Sequence, residues 1–171
     1  MLEIAERASF SACLSIPTLD EKAWRSTEPH TPHPRARLEA VAELNRAGIP
    51  TGVLIAPLMP GINDSPRQVE RLLDLCTEAG ATSIGGVALH LRGEVRQVFM
   101  NWMRAQRPDL MPRYERLYSR GANAPAQERK RLSKLARRRG TPSWFRPVAP
   151  AFEAARPEKA LAGTVRQEAL F

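Results

Sequence analysis

A chain of 171 residues is long enough for one domain of ordinary size with a core of its own. Its residues are 43% hydrophobic and only 6% aromatic, which predicts an aliphatic core of the α/β kind, and no apolar run reaches the roughly 18 residues that a membrane span needs. The net charge of +8 favours an acidic partner, nucleic acid first among them.

Residues 1–8 read as the last turns of a helix, and Phe10–Ile16 as a strand. Asp20–Arg25 can form a short helix before a proline-rich connector over residues 28–34. The next helix spans Arg35–Ala47, with Leu38, Val41, Ala42 and Leu44 on or near its inner face. Val53–Ala56 is apolar at every position, as a strand of a covered parallel sheet should be. A long loop then breaks at Pro57, turns at Pro60-Gly61 in a type II signature and passes through Asn63-Asp64. Ser65 with Gln68 makes a capping box, and Pro66 suits the first helical position. The helix Pro66–Ala79 puts Val69, Leu72, Leu73 and Cys76 at i, i+3, i+4 and i+7.

A third strand is predicted over Ser83–Leu89. Ala47-Gly48 before the second strand recurs as Ala79-Gly80 before the third, a spacing of 32 residues and the length of one βα unit. Strand–helix–strand–helix–strand with right-handed crossovers gives three parallel strands with unpaired edges. The loop after the second strand lies where α/β folds place their binding sites. Beyond it the chain turns helical. Glu94–Arg104 carries Val95, Val98, Phe99 and Trp102 on one face, and Pro108–Arg120 carries Leu110, Tyr114, Leu117 and Tyr118. Pro125–Arg139 is a basic helix, and the proline-bearing tail from Gly140 is expected to be disordered.

Several constellations carry chemistry in principle. His30-x-x-His33 has the shape of a metal pair, but interleaved prolines favour a solvated loop. His90, at the end of the third strand, is a candidate proton donor or a polar rim residue. Arg129, Lys130, Arg131, Lys134, Arg137, Arg138 and Arg139 place seven positive charges in eleven positions, which suits phosphate contact or a solvated helix. Asn63-Asp64 could meet a ligand, although such residues more often bond their own turn. Cys13 and Cys76 read as packed thiols. The first ten residues lack a basic-then-apolar signal pattern, so the expected location is the cytoplasm.

Segments across residues 1–139 have a family resemblance. Leu14-Ser15-Ile16-Pro17-Thr18-Leu19-Asp20, Glu28-Pro29, Arg37-Leu38, Ala47-Gly48-Ile49, Ala56-Pro57-Leu58-Met59-Pro60-Gly61-Ile62-Asn63-Asp64 and Leu91-Arg92-Gly93-Glu94-Val95 resemble the radical S-adenosylmethionine family. The nearest branch is similar to spore photoproduct lyase, or DNA repair photolyase-like. The resemblance implies a partial (β/α)6 TIM-like barrel, a 4Fe–4S cluster and S-adenosylmethionine. Residues 1–92 would be the second half of that barrel, 93–139 a C-terminal helical extension and 140–171 the tail. By the same resemblance Ser15 would lie near the cofactor's ribose or methionine end, and Arg37 would approach its carboxylate. Ala56 and Pro57 would line its cleft, and the backbone at Leu91 would border the adenine.

The family holds its cluster with three cysteines in a CxxxCxxC loop. This sequence lacks that motif, and its two cysteines lie 63 positions apart. The resemblance therefore implies a truncated lyase-like protein that keeps part of the cofactor cleft without the cluster ligands, inactive alone and marginally stable. The alternatives are a basic nucleic-acid-binding module and one half of a split enzyme completed by a cluster-bearing chain.

Overall fold

A computed structural model describes residues 10–137. The expected helix end at residues 1–8, Arg138, Arg139 and the tail from Gly140 lie outside the described residues. The elements in order are β1 (Ala12–Ser15), α1 (Glu21–Thr27), α2 (Pro34–Arg46), β2 (Thr51–Leu58), α3 (Pro66–Glu78), β3 (Ile84–Ala88), α4 (Glu94–Gln106), α5 (Met111–Leu117) and α6 (Ala126–Leu135). A single 3-10 turn, Pro108–Leu110, precedes α5.

The three strands form one parallel sheet in the order β1-β2-β3, with Leu14 opposite Val53 and Val53 opposite Ile84. Neighbouring parallel strands need a crossover, which α2 and α3 supply. Both helices begin with proline at the first turn and end at a left-handed glycine, Gly48 (φ 80°) and Gly80 (φ 74°). Ile49 N–H donates to Leu44 O and Ala81 N–H to Cys76 O, so the echo in the sequence is one C-terminal motif used twice. Ser65 is the N-cap of α3, as expected, but its side chain makes no capping bond. Asp20, by contrast, caps α1 through Ala23 N–H.

Side chains alternate across the sheet. Val53, Ile55 and Ile84 face Leu38 and Val41 of α2 and Val69, Leu72, Leu73 and Cys76 of α3, and all are buried. Burial pushes the Cys76 thiol up to about 12, so it stays a packed, protonated side chain. Cys13, expected to be packed as well, is exposed. The register puts it on the opposite sheet face with Ser15, Leu54 and Val87, where the first two are exposed and the last two half-buried.

Helix α6 returns to the sheet after the excursion through α4 and α5. Leu132 and Ala136 are fully buried in the same core as Val53 and Ile84. They approach β3 where Gly86 offers no side chain: a Cβ there would stand 2.3 Å from the Ala136 Cβ. The basic segment is thus a covering layer of the sheet, helical to Leu135, with one apolar stripe.

A second apolar cluster sits at the strands' carboxyl ends. It joins Met59, Leu89 and Leu91 to Met100, Met103, Met111, Tyr114 and Tyr118. On α4 the predicted face of Val95, Val98, Phe99 and Trp102 is not the most buried one. Met100 and Met103 are its buried residues, whereas Val95 and Val98 are 56% and 69% exposed. Tyr118 packs on Tyr114 and donates its hydroxyl to Leu89 O at 2.8 Å. Burial pushes that phenol up to about 12.

Candidate functional site

The site is a cleft of about 290 Å³ at the carboxyl ends of the three strands. Each strand sends its outgoing loop to it: Pro17 after β1, Pro57 and Met59 at the end of β2, Leu89 after β3. The facing wall is α4, through Val95, Val98, Phe99 and Trp102. Ser26, Thr27 and Glu28, at the end of α1, form the polar edge. These residues are spread from Pro17 to Trp102 in the sequence, so only the fold assembles them.

The loop after β2 is held by its own polar residues. Ile62 N–H donates to Met59 O at 3.0 Å, closing a turn in which Gly61 takes φ 84°. That is the predicted type II turn, and few residues but glycine tolerate its third position. Asn63 is 2% exposed and makes three bonds. Its Oδ1 accepts from Met59 N–H at 2.6 Å, and its Nδ2 donates to Pro57 O and Pro17 O, both at 2.9 Å. Asn63 therefore bonds its own turn and also ties the β2 loop to the β1 loop. Asp64 accepts from Gly61 N–H and pairs with Arg131 of α6.

Arg37, placed near a ligand carboxylate by resemblance, is engaged by the protein. Its Nε donates to Pro32 O and its Nη1 to Ser15 O, each at 2.8 Å. Nη2 pairs with Glu28 Oε2 at 2.8 Å and also bonds Thr31 Oγ1. The side chain is only 11% exposed. It is a clamp joining β1, the proline-rich connector and the cleft's carboxylate. Ser15 donates its hydroxyl to Ala56 O at 2.6 Å, which stitches the end of β1 to β2. Pro57 lines the cleft and Ala56 is not among its lining residues, while Leu91 is buried in the second cluster and gives its N–H to Ala122 O.

The histidines stand elsewhere. His90 is exposed and hydrogen-bonded through Nδ1 to Asn123 Oδ1 at 2.9 Å, and it is not among the residues lining the cleft. His33 is not a loop ornament. It is the N-cap of α2, its Nδ1 accepting from Arg35 N–H, with its ring edge-on to Trp24 at 4.9 Å. His30 is exposed.

The basic helix is partly neutralised. Arg131 bonds Glu128 at 2.8 Å and Asp64, Arg113 reaches Glu128 at 3.4 Å, and Arg129 Nε donates to Ala124 O. Lys130, Lys134 and Arg137 are exposed. The Arg131 guanidinium, first by its hydrogen bond, holds the Glu128 carboxyl below the usual glutamate range. A carboxyl depressed on folding stabilises fully above its unfolded value of about 4.3 and loses that contribution as pH falls through its folded value. The stability difference between the wild type and Glu128→Gln, read by urea unfolding, should therefore be on the order of 1 kcal/mol or less at pH 7 and close towards pH 3. A gap that stays constant over that range would show that the pair contributes nothing.

Sequence reading missed two parts of the site. Glu28 was noted within a motif, but its place at the cleft follows only from its pairing with Arg37. Val95 and Val98 share one face with Phe99 and Trp102, as the sequence predicts, but that face is the cleft wall and not the most buried stripe. The competing stripe through Met100 and Met103 was the available signal, and it is the one that the helix buries.

No family model matches the chain, and no solved structure does. It is similar to an uncharacterized protein of Mycobacterium bovis and to one of Mycobacterium tuberculosis, each 36% identical over 130 residues that make up 76% of this chain and 38% of the relative. An uncharacterized protein of Acidianus two-tailed virus is 34% identical over 83 residues, 47% of this chain and 28% of that protein. The chain spans less than two fifths of the length of these curated relatives.

Proposed function

We propose that this chain is the back half of a radical S-adenosylmethionine-type barrel, similar to the spore photoproduct lyase branch, and that it acts only with a cluster-bearing half. The observation that carries this reading is the convergence of three strand-end loops of a parallel sheet on one cleft, beside a sheet face with an exposed strand. Parallel sheets are ordinarily covered on both faces, and the half-exposed Leu54 and Val87 are suited to further structure of the same kind.

The residues present do not fit the cluster. Cys13 is exposed on one sheet face and Cys76 is buried under the other, and among the described residues no group of three His, Cys, Asp or Glu could hold a metal ion. Nor is the nucleotide cradle complete on this chain, since Arg37, Ser15 and the Leu91 N–H already have protein partners. The missing donors would come from the other half, and this chain would supply the apolar wall.

The test is anaerobic affinity purification of the full chain from its native cell. The expected result is a brown preparation that retains S-adenosylmethionine and contains a CxxxCxxC segment, on a companion chain or on the same native polypeptide; residues 1–171 alone, given iron and sulfide, stay colourless. A colourless preparation with no such segment would overturn the proposal, and so would a cluster assembled on residues 1–171 alone.

A further inference from the structure

The exposed polar edge of the cleft consists of acceptors; the indole N–H of Trp102 on the facing wall has no hydrogen-bond partner but is buried beneath the surface. Ser26 Oγ and Thr27 Oγ1 both direct their protons at Ala23 O, at 3.0 and 2.8 Å, which leaves only lone pairs to offer a ligand. Glu28 is a carboxylate with one oxygen held by Arg37, so it too can only accept. Among the described residues the lining contains no lysine, arginine or histidine. The Glu28–Arg37 pair is neutral as a unit, and the remaining walls are proline, methionine, leucine, valine and aromatic carbon. A charged ligand would lose its hydration here without a counter-charge, and an acceptor-only ligand would face lone pairs.

From this we infer that the cleft binds a small, flat, neutral apolar molecule or group that carries an N–H or O–H donor on one edge. Phe99 and Trp102, with ring centroids 5.4 Å apart, and the exposed Val95 and Val98 take the apolar body. The donor edge points to Thr27 and Glu28. Anions, phosphates included, are rejected, so the protein's net charge of +8 does not act through this cleft. The inference rests on the cleft alone and needs no companion chain, so the two ligand titrations test it by itself, and the purification tests the radical reading separately.

Indole and benzofuran are nearly isosteric, but one presents an N–H where the other presents an oxygen, so they make a matched pair of probes. The experiment titrates each into the full chain and follows the methyl resonances of Val95, Val98 and Met59 by NMR. Saturable shifts are expected with both, with indole about fivefold tighter, the ratio one hydrogen bond supports. Thr27→Val should shrink that ratio, and Val98→Asp, at a site 69% exposed and safe for folding, should weaken both ligands. Benzofuran binding as tightly as indole would overturn the donor rule. Shifts that never saturate with indole, or that Val98→Asp leaves unchanged, would overturn the site.

Discussion

Asn63→Ala is expected to cost about 3–5 kcal/mol of stability and to abolish binding in the cleft. The side chain is buried and its three bonds serve Met59 N–H, Pro57 O and Pro17 O. Truncation leaves those backbone groups without their partner in a site water reaches poorly, at about 1–3 kcal/mol for each group left unsatisfied, not fully additive. Pro17, Pro57 and Met59 are all cleft residues, so the loss falls on the site as well as on the fold. Asn63→Asp separates the two roles of the amide. It keeps the acceptor for Met59 N–H but turns a carboxylate oxygen towards two carbonyls, and should be destabilised nearly as much as the alanine variant. Urea unfolding and the indole titration read both effects. An alanine variant with a wild-type midpoint would show that the two loops hold each other without Asn63.

Gly86→Val is expected to lower stability by about 3 kcal/mol, the upper end of ordinary overpacking. The new Cβ would overlap Ala136, 2.3 Å away, and crowd Leu58 Cδ1 at 2.9 Å. Ala136 is fully buried and follows the last residue of α6, so relief requires the helix itself to lift from β3. Lifting it also strains the pairing of Arg131 with Asp64, which ties α6 to the cleft loop. Gly86→Ala alone should also destabilise, and combining it with Ala136→Gly exchanges the methyl between the two surfaces and should recover most of that smaller loss. Failure of the exchange to recover stability would place the damage in β3 itself.

The local chemistry of the chain was legible without its fold. The type II turn at Pro60-Gly61, the prolines that open α2 and α3, and the repeated Ala-Gly that closes them all depend on residues within a few positions of one another. The same holds for the i, i+3, i+4, i+7 stripe of α3, because a regular period directly states which face is buried. These signals were enough to give three parallel strands joined by two covering helices.

Where two stripes or two roles compete, the sequence is silent. Helix α4 can bury either Val95–Val98 or Met100–Met103, and its contacts with α5 and the Met59 turn favour the methionines. The basic helix looked like a free cationic surface until Gly86 opened a seat for Ala136 and Leu132, and Asp64 and Glu128 took Arg131. Arg37 and Glu28 are nine positions apart in sequence, and whether an arginine meets a ligand or its own protein depends on what surrounds it. The sequence by itself determined the elements, their turns and their order, since those are local free energies. The tertiary structure decided which charges are engaged, which apolar residues stay exposed and where the cleft lies, because each depends on partners that only the packed fold brings together.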